Sequence, residues 1–504
     1  MSEAHGSQVA AGAVAQPARG AAARFFLVAG LVLLTRLPFL GPGYGVDPDA
    51  WRVAWAARTI ATTGHYEASR FPGYPFQEYV SALAWRGGPL ALNGLSALFS
   101  ALGAGCFALT LRRLGVRDDM LAALALASAP AVFLASTTAI DYVWALGLAL
   151  AALESALRGR VLAAGALAGL ALACRIPAGC WIPPLAMVLA RVRPAATRGR
   201  DVARFCAVAV GVGAFAFLPV LLTYGPGFLR FYQHGYPQAL WVVKNASVDL
   251  WGLPGTLAIA LAGVALLWRA RRGAGAAAGA TVEPGAAGGA GAAGGATVEP
   301  GAPGTGFTAA WLSGLAICVL AYLRLPIKAF YLIPAVPLTL LLLAPRLPRA
   351  WLVAVCVALV ASPWVLKVSE AGRPDSLAPT HGTVTLRSGG RTWLVDLLRG
   401  PVLADRKRRA LDMDYVEACM ARARRLPGES VVVAYDWLPQ IRVRLGGKRE
   451  GSVEYVYLLT RDELAALRAR GAGVYDLAGA EWENVKVNGV SLRENGSRAL
   501  ETAE

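Results

Sequence analysis

The sequence predicts a polytopic α-helical membrane protein with about eleven transmembrane helices and a C-terminal soluble α/β domain. Three observations predict it. Of 504 residues, 56% are hydrophobic and only 16% charged, against roughly 25% charged in soluble proteins. The charge is unevenly spread: residues 368–504 hold 40 of the 81 charged side chains, and residues 1–367 hold the other 41. The apolar part divides into runs near membrane-spanning length, joined by loops that carry Arg.

In chain order, residues 1–23 read as a disordered cytoplasmic N-terminus, and residues 24–367 as the membrane domain. Its apolar runs lie near 25–40, 89–111, 120–139, 142–157, 161–174, 177–190, 202–222, 250–268, 307–323, 329–344 and 350–366. Several fall short of the ~20 residues a spanning helix needs, so the edges and the split of 161–190 stay open. No cleavage site follows the first run, which reads as an uncleaved anchor. With the N-terminus inside, the inner loops hold RRLGVR (112–117), RGR (158–160), RVRPAATRGR (191–200), RARR (269–272) and PRLPR (345–349). The outer loops hold fewer cations, which satisfies the positive-inside rule. The Arg excess behind the net charge of +17 is thus a topology signal, and no nucleic-acid partner is implied. The expected location is a bacterial inner membrane, with the C-terminal domain extracytoplasmic.

The stretch 273–306 repeats ATVEPGA and is rich in Gly and Ala. It reads as a disordered cytoplasmic insertion that cannot build a core. In the 368–504 domain, ESVVVAYD (429–436), EYVYLL (454–459) and GVYDL (473–477) read as strands, with RDELAALRAR (461–470) as a helix. That order suggests a parallel pair. Seven cysteines show no C-x-x-C, and four histidines form no local metal motif.

The first outer loop, 41–88, is long and therefore a functional candidate. It carries Asp47, Asp49, Arg70 and Glu78. Asp47 before Pro48 reads as a helix N-cap, and Asp49 suits the first turn. Capping needs one carboxylate, so two leave one spare, and the pair Asp47 and Asp49 is a candidate to accept a proton or to hold a divalent cation, Mg²⁺ or Mn²⁺. Asp141, Arg175, Arg324 and Lys328 fall at predicted outer span ends. For the cations, the competing reading is an interface anchor whose charge snorkels into the headgroups.

DPDAW (47–51), GHY (64–66), SRFPGYPFQEY (69–79), STTAIDYVWALGLAL (136–150), AGLALACRIPAG (168–179) and RLPIKAFYLIPAVPLTL (324–340) together resemble the GT-C superfamily of integral-membrane glycosyltransferases. The likeness lies near the protein O-mannosyltransferases and the lipid A aminoarabinose transferase, and it covers about residues 25–370. It implies a polyprenyl-phosphate sugar donor, a lipid, glycan or protein acceptor at the outer face, and membrane lipid around the chain. It further implies Asp47 or Asp49 as catalytic carboxylate, with Arg70, Glu78, Asp141, Arg175, Arg324, Lys328 and Tyr331 around the lipid phosphate, sugar or acceptor. The competing classes are a transporter, a non-catalytic scaffold and an O-antigen-ligase-like transferase. A transporter would place ionisable groups or broken helices at the midplane.

The topology is testable with reporter fusions. A fusion at residue 285 is expected to read cytoplasmic and one at residue 440 external; the same side for both overturns the span count by an odd number.

Overall fold

The computed structural model describes residues 20–229, 236–279, 305–372 and 376–477, and two-residue strands at 486–487, 490–491 and 498–499. The core of the insertion (280–304) and most of the chain beyond 477 lie outside the described residues.

Every apolar run carries helix, but the lengths vary. Four described segments are long and apolar enough to cross a membrane: Ala21–Phe39, Pro75–Arg113, Ala195–Leu229 and Val248–Arg272. Shorter apolar helices make up much of the remainder, among them Tyr142–Leu157, Val161–Cys174 and Thr308–Arg324. Prolines account for several interruptions, because each removes a backbone donor and crowds the preceding turn. Pro130 divides the 120–139 run into Asp119–Ser128 and Pro130–Ala135. Pro334 separates the turn Ala329–Leu332 from the helix Ala335–Leu343. The division of 161–190 falls at Arg175, whose backbone is extended (φ −166°, ψ 118°). A helical membrane body results, and helix length does not fix a count of eleven.

Two boundaries differ from the sequence reading. The first helix begins at Ala21, inside the stretch assigned to a disordered N-terminus. The helix Val248–Gly279 continues past residue 273 into the insertion. Both extensions are Ala-rich, and Ala has the highest helix propensity.

The membrane body packs through small residues. Helices Gly88–Arg113 and Tyr142–Leu157 cross where Gly103 meets Gly147; a Cβ on Gly147 would lie 2.3 Å from the Phe99 carbonyl oxygen. Close backbone approach of this kind replaces the hydrophobic drive that lipid does not supply. Phe26, Phe215, Leu222, Leu267 and Leu320 stay exposed, a surface suited to acyl chains rather than water.

Beyond the last apolar helix, Arg349–Ala361, strands Lys367–Glu370, Thr383–Ser388 and Arg391–Asp396 form an antiparallel sheet with the last of them central. Helix Pro401–Ala423 follows. The second sheet is built on Ser430–Val433, which runs parallel to both Val453–Val456 and Gly473–Asp476. All four residues of that central strand are buried, as expected for a parallel strand covered on both faces. The intervening helix Arg461–Ala469 starts from a capping box between Thr460 and Glu463.

Arg409 fastens the two parts together. It is buried at 2% exposure and donates to the carbonyls of Thr137 (2.8 Å) and Phe39 (3.3 Å). It also pairs with Asp405 one turn earlier. Arg409→Met keeps the side-chain length and removes these donors. The expected loss is about 2 kcal/mol, read as a lower melting temperature and faster proteolytic release of the C-terminal domain. An unchanged melt would show that the domain docks without this contact.

Candidate functional site

The first outer loop folds as its sequence requires. Asp47 is extended (φ −67°, ψ 125°) and caps the helix Pro48–Thr63, its Oδ1 accepting from the Asp49 backbone N–H. Pro48 occupies the first helical position, where no donor is needed. Asn93 donates to the carbonyls of Leu40 and Gly43, and Trp51 to that of Gly45. These bonds fix the approach to Asp47.

Glu78 organises the second half of the loop. Its buried carboxylate accepts from the backbone and hydroxyl of Ser69 (2.7 and 2.6 Å), from the Tyr74 N–H (3.1 Å) and from the Tyr66 hydroxyl. The loop closes tightly at Gly73, which has φ +92° and would place a Cβ 2.7 Å from the Tyr66 hydroxyl, so only glycine fits. Arg70 sits inside this staple. Glu78 is therefore placed as a positioning residue and does not line the cavity described below.

Four cations and four carboxylates interlock at the centre. Lys328 Nζ lies 2.6 Å from Asp47 Oδ2 and 2.9 Å from Asp49 Oδ2. Arg70 reaches Asp49 (3.4 Å) and pairs with Asp141. Arg175 donates to the other oxygen of Asp141 at 2.7 Å. Arg52 joins Asp49 (2.9 Å) to Asp436 of the C-terminal domain (3.3 Å). Aromatic faces cover the guanidinium groups: Arg70 over Tyr74 at 4.0 Å, Arg175 over Tyr142 at 4.0 Å and over Tyr331 at 4.8 Å. Asn245 donates to the carbonyls of Pro326 and Ile327 and so sets the turn that presents Lys328.

Burial alone would raise the Asp49 carboxyl, but Arg70, Lys328 and Arg52 override it and hold Asp49 well below the usual carboxylate range. Burial would lower the Lys328 ammonium, and Asp47 and Asp49 outweigh that, holding it well above its ordinary value.

A cavity of about 1080 Å³ opens beside this network. Asp47, Asp49, Arg52, Lys328, Phe330 and Tyr331 line its membrane-domain side, and Asp405, Arg408, Asp436, Trp437, Gln440 and Tyr457 line the C-terminal domain side. A divalent ion bridging Asp47 and Asp49 does not fit this arrangement. The Lys328 ammonium already occupies the bridging position, and two guanidinium groups surround Asp49. Among the described residues, no three His, Cys, Asp or Glu side chains converge as a metal site.

The structure thus brings together Asp47, Asp49, Arg70, Asp141, Arg175, Lys328 and Tyr331. Arg324 is set apart: it ends the helix Thr308–Arg324, is exposed and does not line the cavity. Sequence reading missed Arg52, Asp436, Gln440 and Trp437. Arg52 carried one signal, its place one turn after Asp49 on the same helix. The C-terminal residues carried none; Asp436 meets Arg52 across 384 positions.

No protein-family model matches the chain, and no curated protein matches it. Among solved structures, ArnT from Cupriavidus metallidurans in the apo state has a TM-score of 0.51 at 16% identity, covering 90% of this chain and 89% of that one. The structure of the same protein bound to undecaprenyl phosphate has a TM-score of 0.46 at 18% identity, covering 81% of this chain and 72% of that one. ArnT, the lipid A aminoarabinose transferase, is a GT-C glycosyltransferase. At these identities the likeness is one of fold, and it is the fold that the residue-level resemblance implied.

The network predicts a pH signature. Because Asp49 is depressed in the folded state, its stabilising contribution is present above the ordinary carboxyl value of 3.8. It is lost as pH falls through that value toward the folded one. The Lys328 contribution has the opposite sign, being present below the ordinary 10.5 and lost only above it. Asp49→Asn should cost about 3–5 kcal/mol at neutral pH, since it leaves buried cations short of a partner. It should also flatten the acid limb of the melting temperature below about pH 4. An acid limb as steep as in the unsubstituted protein would assign it to other carboxylates.

Proposed function

We propose that the protein is an integral-membrane glycosyltransferase. In this reading it moves a sugar from a polyprenyl-phosphate-linked donor to an acceptor on the outer face of the membrane, with Asp47 as general base. One observation carries the reading: a carboxylate with a proton-accepting oxygen and a lysine suited to phosphate meet at the edge of a large cavity, within a GT-C fold. The ArnT neighbour bound to undecaprenyl phosphate supports the donor class. The Arg-rich inner loops support an eleven-span topology in which the cavity and the C-terminal domain face outward.

The chemistry follows from the charges. A lipid phosphate needs compact and forked donors at the interface. Lys328 supplies the first. Arg70 backs it through Asp49, outside the cavity lining, with its Nη1 buried and without a hydrogen-bond partner. Arg175 and Tyr331 stand behind them. When the phosphate draws Lys328 toward itself, Asp47 Oδ2 loses its 2.6 Å partner and is open to accept a proton. The acceptor hydroxyl oxygen then attacks the anomeric carbon as the bond from that carbon to the phosphate oxygen breaks. The bonding pair leaves with the phosphate, whose developing charge Lys328 holds with Arg70 behind it, and Asp47 takes the hydroxyl proton. The capped helix start keeps Asp47 in place throughout. Asp49 is the weaker base, because the surrounding cations hold it ionised, and its role is to position them. Asp141 does the same for Arg70 and Arg175.

Asn caps a helix about as well as Asp but does not accept a proton near neutral pH. Asp47→Asn is therefore expected to keep the fold and lower turnover by a factor on the order of 10²–10⁴. Lys328→Met and Arg175→Ala should mainly raise KM for an undecaprenyl-phosphate-sugar donor. Arg324→Ala, a change at an exposed headgroup anchor, should leave it unchanged. Near-normal turnover in Asp47→Asn would move the base to Asp49, and unchanged donor kinetics in both Lys328→Met and Arg175→Ala would overturn the phosphate site.

A further inference from the structure

The side of the cavity built by the C-terminal domain has a different chemistry from the side built by the membrane domain. Lys367 also lines the cavity there, and among the described residues the other cations on this side are each held in an ion pair. Arg408 is bound to Asp412 at 2.6 Å, and Arg52, which reaches across, is held between Asp49 and Asp436. What this wall presents instead is aromatic and hydroxyl-binding. Trp437 is half-buried against Tyr415, and Tyr457 is 43% exposed. Asp436 accepts from Arg52 and from the Tyr457 hydroxyl, both on Oδ1, and Oδ2 carries neither bond.

Gln440 is the second, independent observation. It is only 2% exposed, it lines the cavity, and its Oε1 has no hydrogen-bond partner. A buried amide oxygen left unpaired is costly, and it is satisfied by a ligand that brings a donor to it. Gln440 and Trp437 lie three residues apart around the start of the helix Leu438–Leu445, and a Gln at that spacing shares a side with the ring.

From this geometry we infer that the C-terminal domain supplies the acceptor subsite, and that the acceptor it takes is an uncharged, hydroxyl-rich glycan rather than a phosphorylated lipid or a peptide. The inference rests on the transferase reading and deepens it. Sugar rings offer C–H faces that pack on Trp and Tyr, while their hydroxyls donate to an amide or carboxylate oxygen. Asp436, Trp437, Gln440 and Tyr457 match both requirements. The paired Asp and Arg groups make the wall unwelcoming to a further anion, because a phosphate would have to break an existing ion pair. The same wall faces Asp47 across the cavity, so a hydroxyl held there lies on the side from which a proton must be taken.

The test uses the full chain in nanodiscs with defined probes: neutral oligosaccharides (mannotriose, galactotriose, arabinotriose), mannose 6-phosphate, a Ser/Thr-containing peptide and undecaprenyl phosphate. Binding of at least one neutral oligosaccharide, seen by saturation-transfer NMR and Trp fluorescence, is expected. Trp437→Ala and Gln440→Met should each weaken it by at least about tenfold, the worth of one lost contact, while undecaprenyl phosphate binding stays within about twofold. Lys328→Met should show the reverse pattern. Melting temperatures confirm that each variant is folded; should Gln440→Met unfold, Trp437→Ala and Asp436→Asn carry the test. The inference is overturned if no neutral oligosaccharide binds, if the folded variants bind it normally, or if mannose 6-phosphate or the peptide binds more tightly. In those cases retained, Lys328-dependent binding of undecaprenyl phosphate would leave the donor reading standing. Saccharide binding without Lys328-dependent lipid binding would do the opposite.

Discussion

The Lys328 ammonium, set between Asp47 and Asp49, is the contact on which the rest of the site depends. It joins positions 281 and 279 residues apart, one pair at the start of the first outer-loop helix and the other residue in the turn before the last apolar helices. Each charge there would be expensive to bury alone. Held together they satisfy one another, and the chain of contacts extends through Arg70 to Asp141 and Arg175, and through Arg52 to Asp436. The loop, the membrane body and the C-terminal domain are thus tied by one electroneutral network. A network of this kind holds its geometry without a ligand, yet it yields when an anion offers Lys328 a better partner.

That balance explains why two adjacent carboxylates need not mean a metal. A bridging cation and a lysine answer the same electrostatic demand, and this chain answers it with the lysine. The consequence reaches the chemistry. A divalent ion would hold both carboxylates rigidly, whereas an ammonium on a flexible stem holds them with a side chain that has other rotamers open to it.

Much of this was legible in the sequence, for reasons that can be named. The Asp-Pro step marked the start of the helix at Pro48, because capping and the fixed φ of proline are local. The strands at 430, 453 and 473 were legible from short apolar runs flanked by polar residues. The antiparallel sheet at 367–396 was not, for Thr383–Ser388 is mostly exposed and has no buried face to print a pattern. Helix Pro401–Ala423 was hidden by its charge, since Asp405, Arg408, Arg409 and Asp412 break any apolar stripe along it and are paired or buried in the fold. The ion pairs themselves are long-range choices between many similar residues: nothing local distinguishes Arg324, which is exposed, from Lys328 four positions on, which is central.

Arg324 and Lys328 also show what separates an interface anchor from a site residue. Both follow the same apolar helix, and both carry a cation on a long stem. Arg324 belongs to the last turn of that helix, where its charge meets the helix C-terminus and stays exposed. Lys328 comes after Pro326 has broken the helix and Asn245 has gripped the turn, so its stem points back across the body toward Asp47. The backbone break, more than the charge, decides which cation enters the network. The same rule holds at Arg175, which sits in the extended link between two helices and reaches Asp141 from there. A cation at a helix break near the membrane edge is free to turn inward, and in this fold the inward-turned cations are the ones that meet the carboxylates.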